Sequence, residues 1–215
     1  MRVQVILFDG FDPLDVLGPF EVFHAGGGLT GGGVTVELVS AEGPRTVPSG
    51  LPAISLTATA TLDPGAADVV VVPGAAGSLS LDPEVEGGIG RLLARAGSGS
   101  LGPALREAVH REGTTVATVC GGSLLVAWAG LADHRPLVTH AHGADLAGTA
   151  ARPVDARVVD DGDLVSAGNV TCGIDMALYL LEREVGPQVA HAVEQIIRLE
   201  RRGTVWRPTG IAVGA

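Results

Sequence analysis

Thr114-Thr115-Val116-Ala117-Thr118-Val119-Cys120-Gly121-Gly122-Ser123-Leu124-Leu125-Val126-Ala127-Trp128 is the stretch on which the reading of this chain turns. Its first half is β-branched, as a buried strand requires. Its second half spaces Leu124, Leu125, Ala127, Trp128 and Leu131 as a helix does. A cysteine and two glycines separate the halves, and a sharp strand-to-helix turn needs the backbone freedom that glycine supplies. Such a turn puts Cys120 at the strand's carboxyl end, beside a helix N-terminus. There, free N–H groups and the helix dipole favour the thiolate. The same geometry carries the serine of other α/β enzymes. A cysteine among apolar residues is also an ordinary small core residue. Cys120 therefore needs support from the rest of the chain.

Upstream, Arg2 to Phe8 reads as a buried strand, followed by the turn-forming loop Asp9-Gly10-Phe11-Asp12-Pro13. Asp15 to His24 reads as a helix with Leu17, Phe20 and His24 on one face. Pro19 is expected in its first turn. That expectation sets Asp15 at or just before the helix start, where a carboxylate either caps free N–H groups or serves chemistry. The run from Gly26 to Gly33 reads as a loop; it lacks the Lys of a phosphate cradle and precedes a strand instead of following one. Val34 to Val39 alternates as a second strand, and Thr46 to Leu62 suggests extended segments and turns. Asp68 to Pro73 reads as a third central strand ending in Gly74-Ala75-Ala76-Gly77, small residues that let backbone amides approach a ligand. Residues 78–112 hold one or two helices interrupted at Gly97-Ser98-Gly99-Ser100.

Downstream, Thr139-His140-Ala141-His142 pairs two histidines at i and i+2 with no third ligand at a recognisable spacing, so no metal site is expected. Arg157 to Ser166 reads as a hairpin turning at Asp161-Gly162-Asp163. Ile174, Ala177, Leu178, Leu181 and Val185 follow a helical period that Gly186 ends. Pro187 opens a last helix, whose Arg198, Arg201 and Arg202 suit a solvated C-terminus. Strands alternating with helices imply a mainly parallel sheet covered on both faces. Ligands bind beyond the carboxyl ends of such strands, near the switch point. Cys120, the Gly74 turn and the Asp15 loop all follow strands and can converge there.

At 215 residues the chain suits one domain over residues 1–215. Its apolar fraction of 46% is that of a folded protein, and a net charge of −10 argues against a nucleic-acid surface. Two cysteines, Cys120 and Cys172, make neither a disulfide framework nor a recognisable metal site. No signal segment and no apolar stretch of roughly 18–20 residues is evident, so a cytoplasmic protein with no membrane partner is the default.

Four motifs in register resemble the ThiJ/PfpI superfamily within the glutamine-amidotransferase-like fold. They are Leu14-Asp15-Val16-Leu17-Gly18-Pro19-Phe20-Glu21-Val22-Phe23, Val72-Pro73-Gly74, Val119-Cys120-Gly121-Gly122 and Gly168-Asn169-Val170-Thr171-Cys172-Gly173-Ile174-Asp175. The branch they look most like is that of the isonitrile hydratases and the sensor domains of related transcription regulators. The resemblance implies a flavodoxin-like α/β sandwich, a cysteine on a strained strand–helix turn, a homodimer, and Asp15 as a carboxyl hydrogen-bonded near the cysteine sulfur. Three positions depart from the pattern: Gly121 stands where the hydratases more often carry Thr, Ala141 where Trp is typical, and Cys172 where a small residue such as Ala is expected. Cys172 reads as a packing residue, with a secondary redox role as its alternative.

The resemblance implies a small-molecule substrate and three competing functions. The first is hydration of an isonitrile to an N-substituted formamide, with Cys120 as nucleophile and Asp15 as proton donor and water activator. Backbone N–H groups at Gly74, Ala75 and Gly121 would hold developing charge, and no metal or organic cofactor is called for. The second is a ligand-sensing domain without chemistry. After Arg202 only 13 residues remain, too few for a helix-turn-helix, so a sensor would act through a partner. The third is an amidase, peptidase or glyoxalase-like hydrolase, for which Gly121 replaces the His that such proteases place after the nucleophile; His140 or His142 would have to substitute from a distance.

Overall fold

The computed structural model describes residues 1–140 and 145–210. Its centre is a run of largely buried strands. Strand β1 (Arg2–Ile6) lies between β2 (Thr35–Ser40) and β6 (Val69–Val72), parallel to both, with Val3 opposite Val36 and Val69. Strand β6 pairs in parallel with β7 (Thr115–Val119), and β7 with β11 (Leu164–Ala167). The edge strand β10 (Val158–Asp160) is antiparallel to β11, as the hairpin pattern predicts. With β5 (Ala60–Thr61) at the other edge, the order of the seven-stranded sheet is β10-β11-β7-β6-β1-β2-β5. Two short hairpin strands, β3 (Arg45–Pro48) and β4 (Ser55–Ala58), stand apart from it, as does the two-residue pair β8 (Pro136–Leu137) and β9 (Arg152–Pro153).

All four valines of β6 are buried, as a parallel strand covered on both faces demands. The cover comes from two groups of helices. Helix α1 (Pro13–Leu29) packs with α5 (Cys172–Glu184) and α6 (Pro187–Ile197). Helix α2 (Ile89–Ser98) packs with α3 (Leu101–His110) and α4 (Gly122–Trp128). The chain leaves β1 toward β2 on one side and returns to β6 on the other. The crevice between the carboxyl ends of β1 and β6 is therefore the switch point where ligands bind.

Several expectations give way here. Helix α1 does not end before the glycine run but continues through Gly26, Gly27 and Gly28 to Leu29. Close packing explains this: a Cβ on Gly26 would stand 2.9 Å from the Leu181 side chain of α5, so the missing side chain lets the two helices meet. Pro19 is not in the first turn of α1 but in its interior. Its missing N–H removes the helical bond to the carbonyl of Asp15, a disturbance of about 3 kcal/mol that surrounding packing offsets. The interruption at 97–100 shrinks to Gly99 and Ser100 between α2 and α3. Helix α4 has only seven residues, and Trp128 at its end is 41% exposed instead of joining the apolar face. Arg201 is not a solvated cap: it bridges Glu182 of α5 and Glu194 of α6. The segment after α6 then returns to the sheet, where Trp206 exchanges backbone hydrogen bonds with Val158 and Asp160 beside the edge strand.

Candidate active site

Two loops and one turn meet at the carboxyl end of the sheet. The loop after β1 supplies Asp12 and Asp15. Asp12, not Asp15, caps α1, accepting the Leu14 N–H at 2.9 Å. Asp15 follows in the first turn with its side chain wholly buried. Its Oδ2 accepts the Gly74 N–H at 2.9 Å, and its Oδ1 has no hydrogen-bond partner among the described residues. The Asp12 N–H in turn donates to the Gly74 carbonyl at 2.9 Å. The β1 loop and the turn after β6 are thus joined at both polar groups of one glycine. A Cβ on Gly74 would come within 2.9 Å of Asp15 Oδ2 and 2.7 Å of the Gly121 nitrogen. Gly74 is the gap across which the carboxyl and the cysteine turn face each other, and its own N–H is already spent on Asp15.

Cys120 sits on that turn with φ of 53°, a left-handed backbone that side chains rarely adopt. Strained positions of this kind persist only where the surroundings hold them. The Cys120 N–H donates to the Ala167 carbonyl of β11 at 2.9 Å, and its carbonyl accepts the Thr139 hydroxyl at 2.8 Å. Tight packing also fixes Gly122, where a Cβ would lie 2.1 Å from the Val72 carbonyl oxygen. Gly121 is freer: a Cβ there would meet Leu93 Cδ1 of α2 at 3.3 Å and lie 3.9 Å from the Ala75 nitrogen. Leu93 therefore reaches into the space where a Thr side chain would begin.

Burial controls the chemistry of both groups. Asp15 is raised from 3.8 to about 8, chiefly by burial and then by the charge of Asp12, against the Gly74 N–H. It holds its proton at neutral pH. The Cys120 thiol is pushed up to about 12, first by burial and then by Asp15, against the lowering effect of the Gly121 backbone N–H. The expected lowering by a helix N-terminus is absent, because a seven-residue helix offers a small dipole and removal from water outweighs it. Both proton-bearing groups are therefore neutral at pH 7.

Cys172 opens α5 and is 2% exposed, with its thiol raised by burial. His140 places Nδ1 2.5 Å from Asp145 Oδ2, a contact without hydrogen-bond alignment. His142 and Ala141 lie outside the described residues. Among the described residues no group of three or more His, Cys, Asp or Glu side chains could hold a metal ion, and no helix is long and apolar enough to cross a membrane. Asp12, Leu93 and the Thr139 hydroxyl carry no role in the sequence reading. Their signal there was slight: the Asp-Pro start of α1 marks Asp12, and nothing local marks the other two.

A half-buried cysteine on a strained turn between a parallel strand and a helix, faced by a protonated carboxyl across a glycine, defines a cysteine-elbow α/β protein. Residues 1–183 match the model of the DJ-1/PfpI family, and the chain belongs to that family. It is 33% identical over 196 residues to an isonitrile hydratase of Pseudomonas putida, covering 90% of this chain and 76% of that one. Among solved structures, DJ-1beta of Drosophila melanogaster shares the fold with a TM-score of 0.74 at 19% identity, over 93% of this chain and 98% of that one. An AraC family transcriptional regulator from Pseudomonas putida does so with a TM-score of 0.66 at 23% identity, over 91% of this chain and 98% of that one.

Proposed function

We propose that this protein hydrates an isonitrile to an N-substituted formamide, in the manner its likeness to an isonitrile hydratase suggests. The observation that carries the reading is Asp15: buried, protonated at neutral pH, and with Oδ1 unpartnered among the described residues. A buried donor without an acceptor suits a substrate whose reacting atom bears a lone pair and no proton, which describes the terminal carbon of an isonitrile.

The reaction balances with these two groups. The Cys120 sulfur attacks the terminal carbon, Asp15 protonates that carbon, and the thiol proton passes to Asp15, giving a thioimidate in which sulfur and hydrogen have added across one carbon. Asp15 then protonates the imine nitrogen, and its carboxylate takes a proton from the attacking water. The tetrahedral adduct collapses as its hydroxyl forms the formyl carbonyl, the C–S bond breaks, and the hydroxyl proton restores the thiol. In this reading the N–H groups of Gly121 and Ala75 would hold the charge that develops in the adduct, while that of Gly74 holds Asp15 in place. The same reading includes a homodimer acting on a small molecule in the cytoplasm, which light scattering of the purified protein would check for its oligomeric part.

Formamide production from a simple alkyl or aryl isonitrile tests the proposal, with Cys120→Ser and Asp15→Asn alongside. Turnover by the wild type, lost in both folded variants, is the expected result. Absence of turnover with several isonitriles would overturn it. One observation favours a second reading as a ligand sensor: a thiol raised by burial to about 12 is a poor nucleophile. Tight binding of an isonitrile without conversion would select that reading.

A further inference from the structure

A chain of buried hydroxyls runs behind the cysteine turn and has no part in the chemistry above. Thr118 Oγ1 of β7 and Ser123 Oγ of α4 lie 2.7 Å apart, and Ser123 Oγ donates to the Val138 carbonyl at 2.7 Å. The Val138 N–H donates to Ser166 Oγ of β11 at 3.1 Å, and the Thr139 hydroxyl donates to the Cys120 carbonyl at 2.8 Å. Thr118, Ser123, Thr139 and Ser166 are all buried. Two consecutive residues after β8, Val138 and Thr139, are therefore tied to three elements that frame the cysteine: β7 with its turn, α4 and β11. Buried hydroxyls with satisfied partners specify one arrangement, because any slip strands them away from water.

The last bond of this chain has a directional consequence. A peptide unit is planar and trans, so its C=O and N–H point in opposite directions. The carbonyl of the Cys120–Gly121 peptide is gripped by Thr139, and more loosely by the Ser123 N–H at 3.3 Å. The N–H of that same peptide belongs to Gly121 and points to the opposite side, where it acts to lower the Cys120 thiol against the effect of burial. Two glycines follow a residue already in the left-handed region, so little intrinsic stiffness keeps this peptide from turning over. A turned peptide would present a carbonyl, not an N–H, to the sulfur.

We propose that Thr139 is a positioning residue: its hydroxyl, anchored through Ser123 and Ser166, pins the Cys120–Gly121 peptide so that the Gly121 N–H addresses the cysteine sulfur and the charge formed on its adduct. Thr139 touches neither substrate nor sulfur in this role. The role concerns the reactivity of Cys120 itself, and only its turnover readout rests on the hydratase reading.

The test uses the full chain carrying Cys172→Ala, so that Cys120 alone reacts with iodoacetamide, followed by mass spectrometry at pH 8. Thr139→Val, which keeps shape and removes the hydroxyl, is expected to slow alkylation about tenfold, the equivalent of one pKa unit on the thiol. With an isonitrile, kcat falls by roughly 10²-fold while KM stays within about twofold, as loss of an aimed N–H donor predicts. Thr139→Ser returns both toward wild type, which a purely structural role for the side chain's methyl group would not. A folded Thr139→Val protein alkylated at the wild-type rate, or a Thr139→Ser protein as slow as Thr139→Val, overturns the proposal. If Thr139→Val does not fold, Ser123→Ala, which releases the Val138 carbonyl without touching Cys120, takes its place with the same expected loss and the same overturning result. If the wild type converts no isonitrile, the alkylation rates still decide the pin while the hydratase reading falls.

Discussion

The two cysteines occupy parallel situations and reach different ends. Cys120 follows β7 and Cys172 follows β11, neighbouring parallel strands paired from Leu164 and Val116 to Ala167 and Val119. Each stands where a helix begins, and each thiol is raised by burial. Cys172 has the longer helix, and the backbone N–H groups of Asn169 and Gly168 and the Arg157 guanidinium act to lower its thiol against burial. By the rule that a helix N-terminus activates a thiol, Cys172 is the better candidate. Yet it is shut in at 2% exposure, with ordinary helical backbone after a fully turned loop. Cys120 has the strained φ, the partial exposure, and a buried carboxyl across a residue that cannot carry a side chain. What separates them is the partner facing the sulfur and the room left for a ligand, not the helix behind it.

The comparison breaks most readily at the nucleophile. Cys120→Ser is expected to lower formamide production by about 10³-fold or more, and Cys172→Ser to leave it within about twofold, measured on folded protein. Equal losses would erase the distinction between the two turns. Next in size is the carboxyl. Asp15→Asn should cost roughly 10²–10⁴-fold in kcat, the range for a positioned proton donor.

The same substitution carries a stability signature with the opposite sign. The folded carboxyl holds its proton up to about pH 8, while the unfolded one releases it near 3.8. Between those values the native state binds the extra proton, so wild-type stability falls as pH rises, by at most about 1.4 kcal/mol per pH unit. The Tm of Asp15→Asn relative to wild type should therefore increase from pH 4.5 to pH 8. A constant difference would mean that Asp15 is not held protonated.

A third substitution probes the gap between carboxyl and sulfur. Gly74→Ala puts a methyl group against Asp15 Oδ2 and the Gly121 nitrogen, and should destabilise the protein by about 1–3 kcal/mol while slowing turnover. The smallest effect belongs to the other cysteine: Cys172→Ala removes one buried sulfur and should cost about 1 kcal/mol in a urea titration, with no change in the pH profile of turnover.

Much of this architecture could be read from residues alone, for identifiable reasons. The β-branched runs of β1, β6 and β7 and the 3.6-residue period of α5 are local patterns, and local patterns survive folding intact. The cysteine between strand and helix, and its convergence with Asp15 and Gly74 at one end of the sheet, followed from topology that such alternation permits. The misreadings also have physical causes. Gly26 and Pro19 look like helix breakers, yet one makes room for Leu181 and the other sits in a helix held by its neighbours. Asp12 and Asp15 are equivalent as capping candidates until one of them is buried.

By itself the sequence determined a mainly parallel α/β sheet, an elbow cysteine at its carboxyl end, and membership of a family built that way. Those properties depend on composition and spacing along the chain. Only the tertiary structure decided that Asp15 is a buried acid and not a cap, that burial holds the thiol neutral, and that Thr139 reaches back to the Cys120 carbonyl. Those depend on desolvation and on contacts between residues 19 to 59 positions apart, which no local pattern encodes.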